Sequence, residues 1–288
     1  MTQRDTRVGA PLELGGWTIR PLLEGRLALD GGAMWGVVPK NLWAKLTPPA
    51  ADNTISMVCR SFLCERGAQK VLIEAGVGDR WDAKLSGIYH LDGGHLAAAL
   101  REAGCDPASV THAVGSHAHW DHIGGWVTGT DEAPRPLLPK ASHHLARVEV
   151  ERCLDNNHVR KGSYRPQDLQ PLVDAGLVDT FEGAAEIVPG LSVMEVGGHS
   201  DGVSIVRLEG DDGSTAVFWA DVCPTTHHVQ PPYIMAYDID VKRSFERRAE
   251  LLRRSAEEGW IGLFYHDADV PMARIVKAGR RYAVEPVA

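Results

Sequence analysis

Residues 116–122 read SHAHWDH, which puts three histidines and one aspartate into seven positions. Polar side chains are costly to bury unless each finds a partner. The preceding run VTHAVGSH predicts a short buried strand, so the polar cluster would begin at the carboxyl end of a strand. What the cluster can do depends on the partners that other strand ends supply.

Three further apolar runs end in histidine or aspartate. They are VMEVGGHSDG, AVFWADV and GLFYHDAD. A single Asp or His at such a place is usually a turn former or a hydrogen-bonded rim residue. Together the four strand ends offer seven side chains without a thiolate, a set suited to zinc, manganese or iron. The candidate ligands are His117, His119, Asp121, His122, His199, Asp221 and His266.

The spacing of these residues suggests two ions. His117 and His119 are two positions apart in an extended segment, so both rings would project to one side. We assign these two with His199 to one ion, and Asp121, His122 and His266 to the other. Two ions roughly 3.5–4 Å apart need a shared carboxylate, and Asp221 is the candidate.

Strands in both halves of the chain with helices between them predict an α/β layered architecture. The run at 16–30 reads as strands joined by a turn, and the Gly- and Pro-rich stretch from 31 to 51 as a long loop. A hairpin is expected over 55–78, a helix near 93–105 and another near 143–154. Three strands over 190–222, an amphipathic helix over 241–259, a short strand and an exposed hairpin complete the prediction.

Composition and sequence patterns disfavour several classes of function. The net charge of −8 and the lack of a long Lys/Arg run disfavour nucleic-acid binding. No apolar run reaches the length of a membrane span, and the polar opening segment does not read as a signal peptide. Five scattered cysteines predict free thiols and a cytoplasmic location.

The ordered set HAHWDH, GGHSDG, WADV and FYHD resembles the dinuclear hydrolases of the metallo-β-lactamase superfamily, over about residues 27–268. The resemblance implies a four-layer αβ/βα sandwich, with 1–288 as a single hydrolase domain and two divalent ions, zinc before manganese, cobalt or iron. Glu74 stands where such proteins usually carry Asp and is expected to orient a ligand histidine. The other histidines are interpreted as solvated or structural: His90, His95, His112, His143, His144, His158 and His227.

A narrower resemblance is carried by LDGGAMWGVVPKNLW and ADVCPTTHHVQPPYIMAYD. These segments are similar to those of quorum-quenching N-acyl-homoserine-lactone lactonases of the YtnP type. The tyrosine that other lactonases carry three residues after the bridging aspartate is replaced here by Pro224. His228, Thr225 or Tyr233 would then have to assist the carbonyl oxygen, and His228 is the catalytic candidate.

The expected reaction is the opening of a lactone ring by a hydroxide that bridges the two ions. Asp121 would be both a ligand and a proton carrier. The acyl tail of the substrate needs apolar walls beside the ions. The candidates for these walls are Met34, Trp35, Trp120, Tyr233 and Met235.

Other readings stay open at this point. The same centre would serve a phosphotriesterase, an arylesterase or a β-lactamase, because only the pocket distinguishes them. Oxygen chemistry and a non-catalytic binding module are less consistent with all seven ligands. A small lactone or ester is the expected partner, with neither nucleic acid nor membrane, and a homodimer is left open.

Overall fold

The computed structural model describes residues 6–155 and 161–287. The strands of these residues are, in chain order, β1 (Leu12–Leu14), β2 (Trp17–Asp30), β3 (Thr54–Arg66), β4 (Gln69–Ile73), β5 (His112–Val114), β6 (Val127–Gly129), β7 (Pro134–Pro136), β8 (Ser142–Ala146), β9 (Val178–Phe181), β10 (Ala184–Val188), β11 (Leu191–Glu195), β12 (Ser204–Glu209), β13 (Thr215–Phe218), β14 (Ile261–Leu263), β15 (Met272–Ala278) and β16 (Arg281–Pro286). The α-helices are α1 (Gly31–Trp35), α2 (Lys40–Trp43), α3 (Ala83–Ile88), α4 (Leu96–Glu102), α5 (Trp120–Ile123), α6 (Arg147–Leu154), α7 (Gln170–Asp174) and α8 (Val241–Glu258).

Two seven-stranded mixed sheets form the framework. The first has the order β1-β2-β3-β4-β5-β8-β9 and the second runs from β10 to β16 in sequence order. Strands β4, β5, β8 and β9 pair in parallel, as do β13 and β14, while the other pairs of the two sheets are antiparallel. The α/β fold class predicted from the sequence is confirmed, with two mixed sheets.

The core lies between the two sheets and beneath the helices that cover them. Phe62 of β3 and Phe218 of β13 meet edge to face across the interface, with ring centroids 5.8 Å apart. A second apolar cluster joins Leu63 and Leu72 of the first sheet to Leu96 and Leu100 of α4. Burial of the apolar side chains in these two clusters is the main stabilising contribution to such a fold.

Residues 17–30 form one long strand, so the predicted turn between two strands is wrong. The pairing of β2 with β3 shifts register between Leu23 and Gly25, which makes Glu24 the extra residue of a bulge. The buried carboxylate of Glu24 accepts hydrogen bonds from the backbone N–H groups of Val77, Gly78 and Gly94. Burial raises its pKa to about 7.

Two other boundaries differ from the sequence-based expectation. The predicted loop after β2 contains α1 and α2, and Asp30 caps the first of these by accepting from the Ala33 N–H at 2.8 Å. The helix expected near 143–154 begins only at Arg147, because the residues before it form β8 and pair with β5 and β9. Pairing with neighbouring strands outweighs local helical preference there.

The remaining long elements agree with the sequence analysis. The hairpin of β3 and β4, the helix α4, the three strands β11 to β13, the helix α8 and the hairpin of β15 and β16 are all present. Gly259 ends α8 in the left-handed region at φ 70°, a conformation that glycine adopts without strain. Among the described residues, no helix is long and apolar enough to cross a membrane.

Candidate metal centre

The candidate ligands come from the two facing sheets and meet at one edge between them. His117 and His119 follow β5 in the first sheet, and α5 then carries Asp121 and His122. His199 follows β11, while Asp221 and His266 follow β13 and β14 of the second sheet. All seven side chains are buried. Because β13 and β14 are parallel, their carboxyl ends deliver Asp221 and His266 to the same edge.

One group consists of three histidines. The Nε2 atom of His117 lies 3.0 Å from Nδ1 of His119, which in turn lies 3.2 Å from Nε2 of His199. These atoms all fall within 4.8 Å of one another, so one ion could contact all three. These are the three residues that the sequence analysis assigned to one ion.

The second group consists of Asp121, His122 and His266. Asp121 Oδ2 lies 3.6 Å from His266 Nε2 and 3.8 Å from His122 Nε2. These are the three residues that the sequence analysis assigned to the other ion. The ligand atoms of a third combination, His117, His122 and Asp221, also lie within 4.8 Å of one another, so the two groups adjoin closely.

Asp221 faces both groups with different oxygens. Its Oδ2 lies 3.1 Å from His199 Nε2, and its Oδ1 lies 3.3 Å from His266 Nε2 and 3.5 Å from His122 Nε2. A carboxylate placed in this way can donate one oxygen to each of two ions. The arrangement therefore fits the bridging position expected of Asp221.

The ring orientations suit metal ligation. Three ring Nδ1–H groups donate outward, from His122 to Glu74 at 3.2 Å, from His199 to Asp238 at 2.9 Å and from His266 to the Val58 carbonyl at 2.9 Å. Each of these hydrogen bonds leaves the Nε2 lone pair directed into the centre. Glu74 thus makes the contact expected of it despite its longer side chain, and it also accepts from the Ser116 N–H at 2.9 Å.

Two atoms test whether a cation fits. His122 Nε2 and Asp221 Oδ1 are buried and have no hydrogen-bond partner among the described residues. With Nδ1–H given to Glu74, the Nε2 lone pair faces a carboxylate oxygen 3.5 Å away. Two facing acceptors repel one another, whereas a positive charge between them, either a proton on Nε2 or a bound cation, satisfies both. The residues present fit a divalent metal ion.

The electrostatics of the cluster agree with this conclusion. Burial and the neighbouring histidines hold the pKa of His117 well below its usual value, which keeps the ring neutral as metal ligation requires. Burial alone would lower the pKa of His122, but the carboxylates of Asp221, Asp121 and Glu74 raise it well above the usual value. The same negative charges attract a divalent cation. The buried His/Asp groups are thus consistent with a dinuclear site.

Two of the four non-glycine residues with positive φ in the described chain lie at this centre. Ala220, directly before Asp221, has φ 48°, and Glu74 has φ 63°. Non-glycine residues rarely adopt this left-handed region, and where they do the surrounding contacts must offset the strain. Here the unusual turns aim one candidate ligand and one orienting carboxylate at the centre.

A cavity of about 230 Å³ opens above the cluster. Five of the seven candidate ligands line it: His119, Asp121, His199, Asp221 and His266. Its other walls are largely apolar and consist of Leu29, Met34, Met57, Tyr89, Trp120, Tyr237, Gly162 and Ser163. Trp120 stacks on Tyr89 with ring centroids 5.0 Å apart.

Of the five predicted substrate contacts, Met34 and Trp120 line this cavity, whereas Trp35, Tyr233 and Met235 lie elsewhere. Trp35 is fully buried and stacks on His228 with centroids 4.4 Å apart. Tyr233 packs edge-on against Trp35 at 5.5 Å. Met235 borders a separate apolar surface groove on the other side of this segment. Trp35 and Met235 belong to the hydrophobic core, and Tyr233 packs against it.

The structure does not support His228 as a catalytic group. Its ring is fully buried, with Nδ1 2.8 Å from the Thr225 hydroxyl and Nε2 3.1 Å from the Met34 carbonyl. Burial lowers its pKa to about 3, so the ring is neutral. His228 instead ties the loop after β13 to α1. The interpretation of His158 falls outside the described residues.

Sequence reasoning missed several groups at the site. Asp238, which accepts from His199, ends the segment ADVCPTTHHVQPPYIMAYD that carries the narrower resemblance, but its role as the partner of a ligand was not predicted. The Val58 carbonyl belongs to the backbone and has no sequence signal. Tyr265 stacks on His122 with centroids 4.4 Å apart and donates its hydroxyl to the Asp121 carbonyl, and its position directly before His266 was a usable hint.

Comparisons with known proteins agree with this geometry. The family model of the metallo-beta-lactamase superfamily matches residues 57–218, more than half of the chain. The N-acyl homoserine lactonase AiiA of Bacillus thuringiensis subsp. kurstaki is 24% identical over 172 residues, which are 59% of this chain and 61% of that protein. The chain therefore spans less than two thirds of the length of this curated relative.

Solved structures share the fold over nearly the whole chain. A "probable metal-dependent hydrolase" from Staphylococcus aureus has a TM-score of 0.88 at 26% identity and covers 96% of this chain and 100% of its own. AidC, described as a dizinc quorum-quenching lactonase in complex with a product, has a TM-score of 0.80 at 17% identity over 99% of both chains. With the match of its family model over more than half its length, the chain belongs to the metallo-beta-lactamase superfamily.

Proposed function

We propose that this protein is a metal-dependent hydrolase that opens the lactone ring of an N-acyl homoserine lactone. The observation that carries the proposal is the meeting of seven buried His and Asp side chains, five of which line a cavity with largely apolar walls. The polar groups suit an ester carbonyl, and the apolar walls suit an acyl tail. The likeness to curated lactonases supports the choice of substrate.

The centre would hold one ion at His117, His119 and His199, a second at Asp121, His122 and His266, and Asp221 between them. Two divalent ions bound there would lower the pKa of water and polarise an ester carbonyl. The surrounding residues keep the ligand rings in place through Glu74, Asp238 and the Val58 carbonyl.

Asp121 would move a proton in this reaction. Its carboxylate borders the cavity and sits in the second ligand group. As water adds to the lactone carbonyl carbon, this carboxylate can accept the water proton and pass it to the ring oxygen as the ester bond breaks. The product is a hydroxy acid, which ionises and releases one proton to the solution. Trp120 and Met34 would pack against the acyl tail.

The test compares substrates of the same metal-loaded enzyme. We expect kcat/KM to be highest for an N-acyl homoserine lactone, lower for paraoxon and lower for a penicillin, with proton release measured in a weakly buffered solution. Asp221→Ala is the control and should lose activity on all three. A highest kcat/KM on paraoxon or the penicillin would contradict the lactonase proposal and favour a phosphotriesterase or a β-lactamase.

A further inference from the structure

Glu149 is a buried carboxylate that does not belong to either ligand group. It lies in the first turn of α6 and is fully buried. Its Oε2 accepts the Ala118 N–H at 3.0 Å, and its Oε1 accepts the Gly202 N–H at 2.8 Å. The Tyr164 hydroxyl donates to Oε2 at 3.4 Å. One side chain therefore connects two loops that are remote in sequence.

These two loops carry all three residues of the histidine group. Ala118 lies between His117 and His119, and Gly202 follows His199 by three positions. The contact with the second loop is close, because a Cβ atom on Gly202 would lie 2.5 Å from Val148 Cγ1 and 3.1 Å from Glu149 Cγ. Any larger residue there would push the loop away from α6. This explains the last glycine of the GGHSDG segment.

We propose that Glu149 is a positioning residue for the ion at His117, His119 and His199. By binding both loops, the carboxylate sets the distance between the first two histidines and the third. The other group takes its orientation from different partners, with Glu74 on His122 and the Val58 carbonyl on His266. Loss of Glu149 should therefore weaken one ion much more than the other.

The chemistry requires a carboxylate. Two backbone N–H groups, one from each loop, each need an acceptor, and a carboxylate offers two oxygens. Glutamine has one carbonyl oxygen, and its NH₂ group would face the second N–H donor. Glu149→Gln keeps nearly the same shape and breaks one of the two connections. The inference goes beyond the proposed function, since it depends on the metal centre and not on which ester is cleaved.

The experiment measures metal binding by Glu149→Gln against the wild type. Glu151→Gln is the matched control, with the same chemical change on the same helix at an exposed position. Zinc per chain is determined after equilibration in chelator-buffered zinc. We expect Glu149→Gln to bind one of the two zinc ions roughly 10- to 100-fold more weakly than the wild type does. At a free zinc concentration that fills both sites of the wild type only just, the zinc content of the variant should then fall from two ions per chain to one. Glu151→Gln should retain both.

A second readout identifies the ion that is lost. Visible spectra of the cobalt-loaded proteins report the ligand set, and His199→Ala, which removes a ligand of the first group, supplies the reference. The spectrum of singly loaded Glu149→Gln should match that of His199→Ala.

Equal weakening of both ions, or wild-type affinity for both with only a lower Tm, would overturn the inference. If Glu149→Gln does not fold, Gly202→Ala, which displaces one loop and keeps the carboxylate, is tested in the same way. If the wild type binds no zinc, both this inference and the proposed function are contradicted. A wild type with two ions and a Glu149→Gln that also keeps two would sink this inference alone.

Discussion

The tryptophans that the sequence placed beside the acyl tail differ in their surroundings. Trp120 borders the cavity and is braced by Tyr89 and Trp81, with ring centroids 5.0 and 4.9 Å away. Trp35 is fully buried between His228 and Trp43 and donates its indole N–H to the Thr47 hydroxyl at 2.7 Å. One residue type therefore has two roles that only its neighbours distinguish.

Trp120→Ala should reduce kcat/KM roughly tenfold more for long-chain than for short-chain lactones, because the longer tail loses more apolar contact. Steady-state kinetics across acyl lengths measures the difference. Trp260→Ala, which changes a buried tryptophan that does not line this cavity, is the control for lost stability. Equal losses at every chain length would show that Trp120 does not contact the tail.

Trp35→Ala should act on stability. Removing a fully buried tryptophan creates a cavity and leaves the Thr47 hydroxyl without its donor. We expect the free energy of unfolding to fall by about 3–5 kcal/mol. Denaturant unfolding measures this change, and the ratio of long- to short-chain kcat/KM should stay at the wild-type value. A changed ratio without a stability loss would return Trp35 to the substrate pocket.

At the scale of elements, β8 shows why a predicted helix can start four residues late. His143 of this strand is fully buried beside Trp126, with ring centroids 5.1 Å apart. Burial lowers its pKa to about 4. An unfolded chain exposes the same ring with its ordinary pKa near 6.5, so the unfolded state binds more protons between these values.

Acid should therefore destabilise the protein partly through His143. The destabilising effect of His143 is absent above about pH 6.5. As the pH falls toward 4, the free energy of unfolding decreases by about 3 kcal/mol because the unfolded chain takes up the proton. Unfolding free energies of the wild type and His143→Phe measured from pH 7 to pH 4 should diverge, with the variant less sensitive to acid. His144→Phe, at a half-buried position of the same strand, should also be less sensitive to acid, because burial lowers the pKa of His144 to about 4 as well. Parallel curves for wild type and His143→Phe would exclude this contribution.

At the scale of the whole molecule, metal binding should stabilise the fold, because the ligands follow four strands, one in the first sheet and three in the second. An ion that binds only the folded chain at 100 times its Kd adds about 2.7 kcal/mol to the free energy of unfolding. Thermal unfolding with excess zinc and with a chelator should show a higher Tm with zinc. Asp221→Ala should show a much smaller difference, and an unchanged wild-type Tm would argue against a metal centre.

Much of the site could be predicted because its residues occupy recognisable places in the sequence. Each candidate ligand or ligand pair follows an apolar run, and in a layered α/β fold such strand ends gather at one edge. The spacing His117–Ala118–His119 brought two rings together as expected. The pocket could not be predicted as well, since Met34 and Trp35 are neighbours that point into different surroundings.

The α/β class, the hairpins, the long helix and the set of seven convergent side chains could be predicted from the amino-acid sequence alone, because hydrophobic periodicity and polar strand ends are local signals. Tertiary structure alone decided the unbroken course of β2, the strand at 142–146, the burial of Trp35 and His228, and the contacts of Asp238 and Glu149. These features depend on partners far away in sequence, and no local pattern records the distance between two loops.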